Sequence, residues 1–290
     1  MKILFPHLCL FIANSIYAIN YIFAKDVMPD FLGPNIFVLL RVSGAVLLFF
    51  ILRFFFMYEK IEKTDYFHLF LCGLFGVAIN MLLFFNGLSQ TAPINASIIM
   101  ITTPLIVYWT VVLLKIESFK TIKIFGVLIG LMGAVYLILH SGYNSSITIF
   151  KGDIFIFLNA ISYSWYLIIV KPLMKKYNPI TVLYGIFLIG LFLVLPFGLF
   201  QIHQVSWNSI PLNIYFKIGF VIFFTTFLAY FLNVYSLKKL KSSTVALYIY
   251  IQPLLTTMIA IMFERDIFTF QKAISCFLIC VGIYLVSKTI

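Results

Sequence analysis

The sequence predicts an all-α integral membrane protein: ten transmembrane helices, arranged as two inverted five-helix repeats around a central cavity. Composition, the length of the apolar runs and an internal repeat support this prediction. Hydrophobic residues make up 63% of the 290 residues and charged residues only 10%, with a mean hydropathy of +1.10. A soluble chain typically carries about 25% charged residues. So few charges cannot cover a water-exposed surface, and we therefore expect most of this surface to contact lipid.

Apolar runs of roughly 18–22 residues recur along the chain, which is the length of a helix that crosses a bilayer rather than of a barrel strand. Turn-forming stretches separate several of these runs, including "MPDFLGP" at 28–34 and "KYNP" at 176–179. The predicted helices are 5–24, 34–56, 66–88, 93–114, 121–139, 152–170, 179–199, 214–236, 244–263 and 270–287.

The positive charges predict an orientation rather than a nucleic-acid partner. The formal net charge is +11, but the lysines and arginines stand in short clusters between apolar runs, as membrane topology requires. With the N-terminus inside, fourteen of them fall in cytoplasmic segments and five in outer segments. We therefore expect both termini in the cytoplasm and no nucleic-acid binding.

The second half of the chain repeats the first. Shifted by 149, residues 86–136 align without a gap on 235–285, and Pro104 meets Pro253. Shifted by 146, Tyr17 meets Tyr163 and Lys25 meets Lys171. The repeats are expected at 1–145 and 146–290. Because each holds five helices, an odd number, the second must enter the membrane from the opposite side. Such inverted repeats are typical of secondary transporters.

A stripe of polar residues lies on one face of the first predicted helix, because Asn14, Tyr17, Tyr21 and Lys25 are spaced 3, 4 and 4 apart. Five further predicted helices carry similar groups. An unpaired amide in hydrocarbon costs several kcal/mol, so these groups should face protein or a water-filled cavity. The candidate substrate-binding residues are Asn14, Tyr17, Tyr21, Asn80, Phe84, Asn95, Thr102, Asn159, Tyr163, Trp165, Tyr166, Tyr230, Asn233, Tyr248 and Gln252. The alternative is that they only join helices, at ~0.6 kcal/mol per hydrogen bond.

Three other residues have two interpretations each. Pro104 and Pro253 stand within spans, where each is either a gating kink or a fixed bend. Arg41 is the only charge well inside a predicted span. It either binds an anionic group of the substrate or extends toward the interface. Lys25 is a second candidate anion anchor.

Acidic residues lie near span ends or in loops and not in mid-span, so no buried carboxylate is expected to relay protons. A neutral, zwitterionic or mildly anionic solute suits the predicted lining better than a lipophilic cation. The four cysteines are expected to be small apolar fillers. No catalytic residues, metal site or cofactor are predicted.

These residues resemble the drug/metabolite transporter superfamily, in its ten-helix EamA-type branch, over essentially the whole chain. The resemblance rests on the polar first helix that ends in Lys25, on Arg41, and on a pattern that occurs twice. The pattern runs from Pro104 through "KIESF" to "GLMGAVYL", and from Pro253 through "FERDIF" to "VGIYLVS". Ser275 departs from it, because it stands where the first half has Gly126. The resemblance implies a carrier in a bacterial inner membrane, with a cavity lined by six of the ten helices.

The expected function is a secondary transporter of small metabolites, which exports amino acids or related zwitterionic or neutral solutes by alternating access. Two alternatives stay open: a multidrug or nucleotide-sugar type transporter, and a membrane scaffold without transport. A membrane enzyme would need a juxtamembrane cluster of His, Asp, Glu or Cys, which is not visible in the sequence. The expected partners are the lipid bilayer and a small solute, with the chain a monomer or a homodimer.

Overall fold

The computed structural model describes residues 4–56, 59–116, 147–264 and 268–287, together with 121–122, 124–126, 128–130, 132–133 and 136. Within these residues the protein is all-helical and has no strand. Eight helices are long and apolar enough to cross a membrane. They are α1 Leu4–Val27, α2 Pro34–Phe56, α3 Lys63–Gln90, α4 Pro93–Leu113, α5 Ile147–Lys176, α6 Pro179–Leu199, α7 Leu212–Leu237 and α8 Ser242–Met262.

A further helix, α9, covers Phe270–Ser287, where the last predicted span lies. The all-helical class is therefore confirmed. The predicted helix 121–139 falls mostly outside the described residues, so the total of ten spans stays a prediction. The observed ends differ most in α5, which begins at Ile147 and ends at Lys176 rather than at 152 and 170. Apolarity marks the part of a helix in lipid, whereas the backbone hydrogen bonds continue past it.

Four helices are irregular in mid-span, which the sequence analysis did not predict. α3 and α7 contain π-helical segments, Leu74–Ala78 and Val221–Leu228. α4 is broken by a turn at Ile101 and Thr102. α8 changes to a 3₁₀ turn at Tyr248–Tyr250. Each irregularity changes which backbone carbonyls are bonded within the helix, and π-bulges frequently mark functional sites.

The helices surround one large buried cluster, in which α2 lies along α6 and α3 lies along α5. The outer faces carry large apolar side chains, and Phe200 and Phe54 are 82% and 72% exposed. Ion pairs lie at helix ends: Lys217 Nζ is 2.5 Å from Asp26 Oδ2, and Lys176 Nζ is 2.9 Å from Asp65 Oδ2. An apolar exterior with charges at the helix ends suits a bilayer.

Glycines set the closest helix contacts. A Cβ on Gly87 of α3 would lie 2.8 Å from the carbonyl oxygen of Gly152 on α5, and a Cβ on Gly152 would lie 2.8 Å from that of Gly87. Likewise, a Cβ on Gly282 would clash with the carbonyl oxygen of Gly126. Small residues let helices approach each other this closely.

Gly87→Ala is expected to destabilise the protein by about 1–3 kcal/mol, because the added methyl group meets backbone that cannot move aside. The matched control is Gly219→Ala in α7, where a Cβ meets no atom within 4 Å. That change should be neutral or slightly stabilising, because alanine favours a helix. Thermal unfolding of both purified variants is the measurement. Equal melting temperatures would show that α3 and α5 do not touch backbone to backbone.

Candidate functional site

The polar stripe of α1 packs against α8 through one amide. Gln252 donates from Nε2 to Asn14 Oδ1 at 2.7 Å, and its Oε1 accepts from the hydroxyl of Tyr21 at 3.1 Å. Tyr17, one turn away, accepts from Asn233 Nδ2 of α7 at 3.2 Å. The stripe therefore faces protein, as the cost of burying amides and hydroxyls in hydrocarbon requires.

The π-helical segment of α3 supplies carbonyl oxygens to side chains on other helices. Ser162 of α5 donates to the carbonyl of Phe75 at 2.7 Å. Just after the segment, the carbonyl of Asn80 accepts from Nδ2 of Asn159 on α5 at 2.7 Å. The hydroxyl of Tyr230 lies 3.0 Å from the carbonyl oxygen of Gly76 and 3.2 Å from Asn80 Oδ1. Widening the helix to the π form frees carbonyls, and polar side chains of α5 and α7 then bond to them.

A cavity lies among these groups, and helices of both halves of the chain contribute to it. The cavity has a volume of about 60 Å³. That space is enough for several water molecules or one small polar group. The lining consists of Tyr17, Asn20, Tyr21, Arg41, Asn80, Met81, Phe84, Phe85, Met100, Asn159, Tyr163, Thr225, Tyr230 and Gln252.

Among the described residues that form this lining, Arg41 is the one charged side chain, and it is only 2% exposed. Its Nε donates to Thr226 Oγ1 at 2.8 Å. Thr226 in turn donates to the carbonyl of Val221, five residues earlier in the π-helical segment of α7. The guanidinium carbon of Arg41 lies 4.1 Å from the centre of the Phe85 ring, a cation–π contact. Its terminal NH1 group has no hydrogen-bond partner.

Three more atoms of the lining are buried without a hydrogen-bond partner: Asn20 Oδ1, Asn159 Oδ1 and Thr225 Oγ1. Asn20 and Asn159 are 3% and 1% exposed. Buried polar groups in proteins are nearly always paired, and each unpaired one costs about 1–3 kcal/mol. Four such groups around one cavity therefore indicate a site prepared for a polar molecule.

The structure brings most of the predicted residues together. Tyr17, Tyr21, Asn80, Phe84, Asn159, Tyr163, Tyr230 and Gln252 line the cavity, as does Arg41. Three further predicted residues contact the lining residues from outside the cavity. Asn14 bonds to Gln252 and Asn233 to Tyr17, while the Tyr166 ring lies 5.8 Å from that of Tyr163, centre to centre.

The other predicted residues lie outside the lining. Trp165 is 41% exposed and stacks on Phe75. Tyr248 bonds to His7 at 2.7 Å. Thr102 donates to the carbonyl of Ile99 at the break of α4, and Asn95 is buried in the first half of that helix.

The two prolines follow helix breaks. Pro104 stands in the first turn of the helical segment Thr103–Leu113, and Pro253 stands in the first turn of Ile251–Met262. A proline in the first turn sacrifices no helical hydrogen bond, because its missing N–H would have had no partner. The turns before the prolines, rather than kinks at them, interrupt α4 and α8.

Lys25 caps a helix. Its ammonium group donates to the carbonyl oxygens of Leu88, Ser89 and Thr91, at 3.0, 2.8 and 3.0 Å. These carbonyls belong to the C-terminal end of α3, where a cation also meets the negative end of the helix dipole. In this structure the ammonium group of Lys25 thus bonds to the end of α3, and its role as an anion anchor stays a prediction.

Five lining residues were not predicted: Asn20, Met81, Phe85, Met100 and Thr225. Asn20 could have been found, because it is three residues from Tyr17 and hence on the same face. Met81, Phe85 and Met100 carry no polar signal that distinguishes them from lipid-facing residues. Thr225 enters the lining from within the π-helical segment of α7, where 3.6-residue spacing fails.

Lys25→Met should lower the stability of the protein by about 1–3 kcal/mol, because it leaves the end of α3 without its charged donor. Lys238→Met is the control, since Lys238 is exposed at the end of α7. Thermal unfolding of the purified variants measures the effect. An anion anchor would behave differently: Lys25→Met would then lose solute binding while keeping the wild-type melting temperature.

The described residues bring together no group of three His, Cys, Asp or Glu side chains that could hold a metal ion. Polar donors and acceptors around a small cavity can bind a solute, and the site offers hydroxyls, amides and one cation for that purpose.

Comparison with known proteins identifies the family. An uncharacterized transporter of Bacillus subtilis, YyaM, is 26% identical over 79% of this chain and 74% of its own length. An uncharacterized transporter of Archaeoglobus fulgidus is 29% identical over 78% of each chain. One crystal structure shares the fold, with a TM-score of 0.70 and 17% identity over 98% of this chain and 97% of that chain. The model of the EamA-like transporter family matches residues 4–139 and 150–288, and this multi-span membrane protein therefore belongs to that family.

Proposed function

We propose that this transporter is a secondary carrier that exports small metabolites, amino acids or related zwitterionic or neutral solutes, by alternating access. The four unpaired polar atoms around the cavity carry the proposal. Unpaired buried atoms also occur elsewhere in the described chain, such as Thr181 Oγ1, but these four are grouped around one cavity, where a bound solute could pair them. A solute that passes through the cavity would pair them for part of each transport cycle.

An inverted repeat of two five-helix units, 1–145 and 146–290, is supported by irregularities at matching positions. The offset of 149, which aligns 86–136 on 235–285 in the sequence, also takes the π-helical segment Leu74–Ala78 onto 223–227, inside Val221–Leu228. The same offset takes Ile101 and Thr102, where α4 breaks, onto 250 and 251, where the 3₁₀ turn of α8 ends. Unrelated helices would not be expected to share both positions.

Two lysines repeat a helix cap in the same manner. Lys25 donates to the carbonyl of Thr91, and Lys171 donates to the carbonyl of Leu240 at 2.5 Å. Thr91 and Leu240 are 149 residues apart, and the lysines are equivalent in the sequence repeat. In an inverted pair of repeats these caps lie at opposite ends of the bundle. Ten helices in all, with the fifth at 121–139, complete the proposed architecture.

Alternating access would use the interrupted helices. Broken helices near the middle of a membrane surround the substrate in many transporters, where the two repeats rock about a fixed site. The breaks of α4 and α8 lie beside cavity residues, because Met100 precedes one and Gln252 follows the other. We expect these segments to open the cavity first to one side and then to the other.

The alternatives fit the lining less well. A nucleotide sugar carries a diphosphate with two negative charges, whereas the described lining offers one cation. A cationic drug would need a carboxylate, and the described lining has none. A scaffold gives no reason for unpaired donors and acceptors around a cavity. The proposed partners are thus the bilayer and a small solute, with the chain a monomer or homodimer.

The charge bias of fourteen against five supports the proposal that both termini lie in the cytoplasm of a bacterial cell, with the chain in the inner membrane. A reporter enzyme that is active only in the cytoplasm, fused after Ile290, should be active. An inactive reporter of normal abundance would reverse the orientation.

Transport is tested with purified protein in liposomes, by uptake of a labelled mixture of amino acids with and without an imposed proton gradient. Tyr17→Ala and Asn159→Ala should reduce the initial rate about tenfold or more, because each removes a polar group from the lining. Tyr235→Ala is the matched control, since Tyr235 packs on Phe5 outside the lining. Uptake without a gradient would identify a facilitative carrier.

Two results would count against the proposal. Uptake that both cavity variants leave unchanged would show that these residues only join helices. A protein that transports no amino acid under either condition would exclude the proposed solute class, and the scaffold or another solute would then be favoured.

A further inference from the structure

We propose that Arg41 forms a carboxylate subsite, and that the amide oxygens of Asn20 and Asn159 receive the ammonium group of the same solute. The inference rests on the proposed transport function and makes it specific: the solute carries one carboxylate and one N–H donor group. A solute without the carboxylate is excluded.

The first observation is the state of the Arg41 side chain. It is 2% exposed, and the lining contains no other charged residue among the described part of the chain. Thr226 holds Nε at 2.8 Å, and Phe85 covers one face of the guanidinium at 4.1 Å. These two contacts fix the plane of the group, yet neither provides a negative charge. NH1 has no hydrogen-bond partner.

A buried cation of this kind needs an anion. A charge without a partner is rare in a protein interior, because nothing offsets the free energy lost with its hydration shell. A guanidinium presents its N–H groups as a planar fork that matches a carboxylate or a phosphate. An anionic group of the solute would supply to NH1 the partner that the protein does not.

One cation favours a carboxylate over a phosphate. A phosphate monoester carries between one and two negative charges near neutral pH, as phosphorylated side chains do. Arg41 could neutralise only one of them, and the second would stay unpaired in a buried cavity. A carboxylate carries a single charge and leaves the pair neutral. The small cavity volume, about 60 Å³, also suits a small group.

The second observation concerns the acceptors. Asn20 Oδ1 and Asn159 Oδ1 are buried in the lining without donors. The Asn159 side chain is held in place, because its Nδ2 donates to the carbonyl of Asn80 at 2.7 Å. An ammonium group has three N–H donors and no acceptor, so two amide oxygens suit it. A cavity with one unpaired cationic donor and two unpaired acceptors is complementary to a zwitterion.

The test uses the purified full-length protein and its melting temperature. The probes are each of the twenty protein L-amino acids, the α-carboxamide of each, and inorganic phosphate, all at matched ionic strength. At least one amino acid should raise the melting temperature of the wild type, because ligands that bind the folded state stabilise it. Its carboxamide, which keeps the ammonium group and lacks the carboxylate, should bind about tenfold more weakly or worse.

Arg41→Gln should lose the response to the amino acid, whereas Arg53→Gln, a change near the end of the same helix, should keep it. The wild type should bind the amino acid more tightly than its N-acetyl derivative, which lacks the ammonium group. In Asn159→Ala the two compounds should bind with similar affinities, because the amide oxygen that receives the ammonium group is gone. If Arg41→Gln does not fold, Arg41→Lys keeps the charge and should still distinguish the amino acid from its carboxamide.

Equal binding of an amino acid and its carboxamide would overturn the subsite, as would a full response in folded Arg41→Gln. Stabilisation by phosphate alone would replace the carboxylate with a phosphate group. A wild type that responds to none of the probes would also overturn it. Transport of solutes without a carboxylate would support the carrier function and contradict the carboxylate subsite. Carboxylate-dependent stabilisation without any transport would support the subsite and contradict the carrier function.

Discussion

Every polar group within the apolar bundle must find its partner inside the protein, because hydrocarbon offers none. This constraint explains why the polar side chains of α1, α3, α5, α7 and α8 meet in one place. It also explains the role of the two π-helical segments, whose carbonyls accept hydrogen bonds from Ser162, Tyr230 and Thr226. Around the cavity, four polar atoms of the described residues have no hydrogen-bond partner in the protein.

The hydrogen bonds beside the cavity join the two halves of the chain. Each runs between a residue before 146 and one after it, and their partners are Asn14 with Gln252, Tyr17 with Asn233, and Asn80 with both Asn159 and Tyr230. Such bonds contribute only ~0.6 kcal/mol each within membranes. Bonds of this strength can order one conformation without preventing the halves from moving, which alternating access requires.

Most of the fold could be predicted from the sequence, since apolar length and turn residues locate the described helices to within a few residues. The irregularities could not. Neither "LFGVA" at 74–78 nor "VIFFTTFL" at 221–228 contains a proline, and two threonines in the second do not distinguish a π-helix from an α-helix. They follow from packing between helices, which a local pattern does not contain. Pro172 lies inside α5 and does not end it, so breaker residues also overestimate the breaks.

The polar part of the site was predictable for the same reason that it exists: an amide or hydroxyl in mid-span is costly and therefore conspicuous. The role of Lys25 was not predictable, because its partners are backbone carbonyls more than sixty residues away. Phe85 was missed because an aromatic ring that covers Arg41 looks like any other apolar residue in the sequence. Sequence reasoning finds the charge, and only the structure shows whether it is paired.

We expect the polar side chains around the cavity to surround a water-accessible path rather than a sealed contact. In a variant without Cys9, Cys72, Cys276 and Cys280, a single cysteine at Thr225→Cys would be exposed to a membrane-impermeant thiol reagent, applied to either side of vesicles. Ala160→Cys is the comparator, because Ala160 neighbours Asn159 but is fully buried in the core. Thr225→Cys should be labelled by the reagent, and Ala160→Cys should not. Failure to label Thr225→Cys from both sides would contradict it.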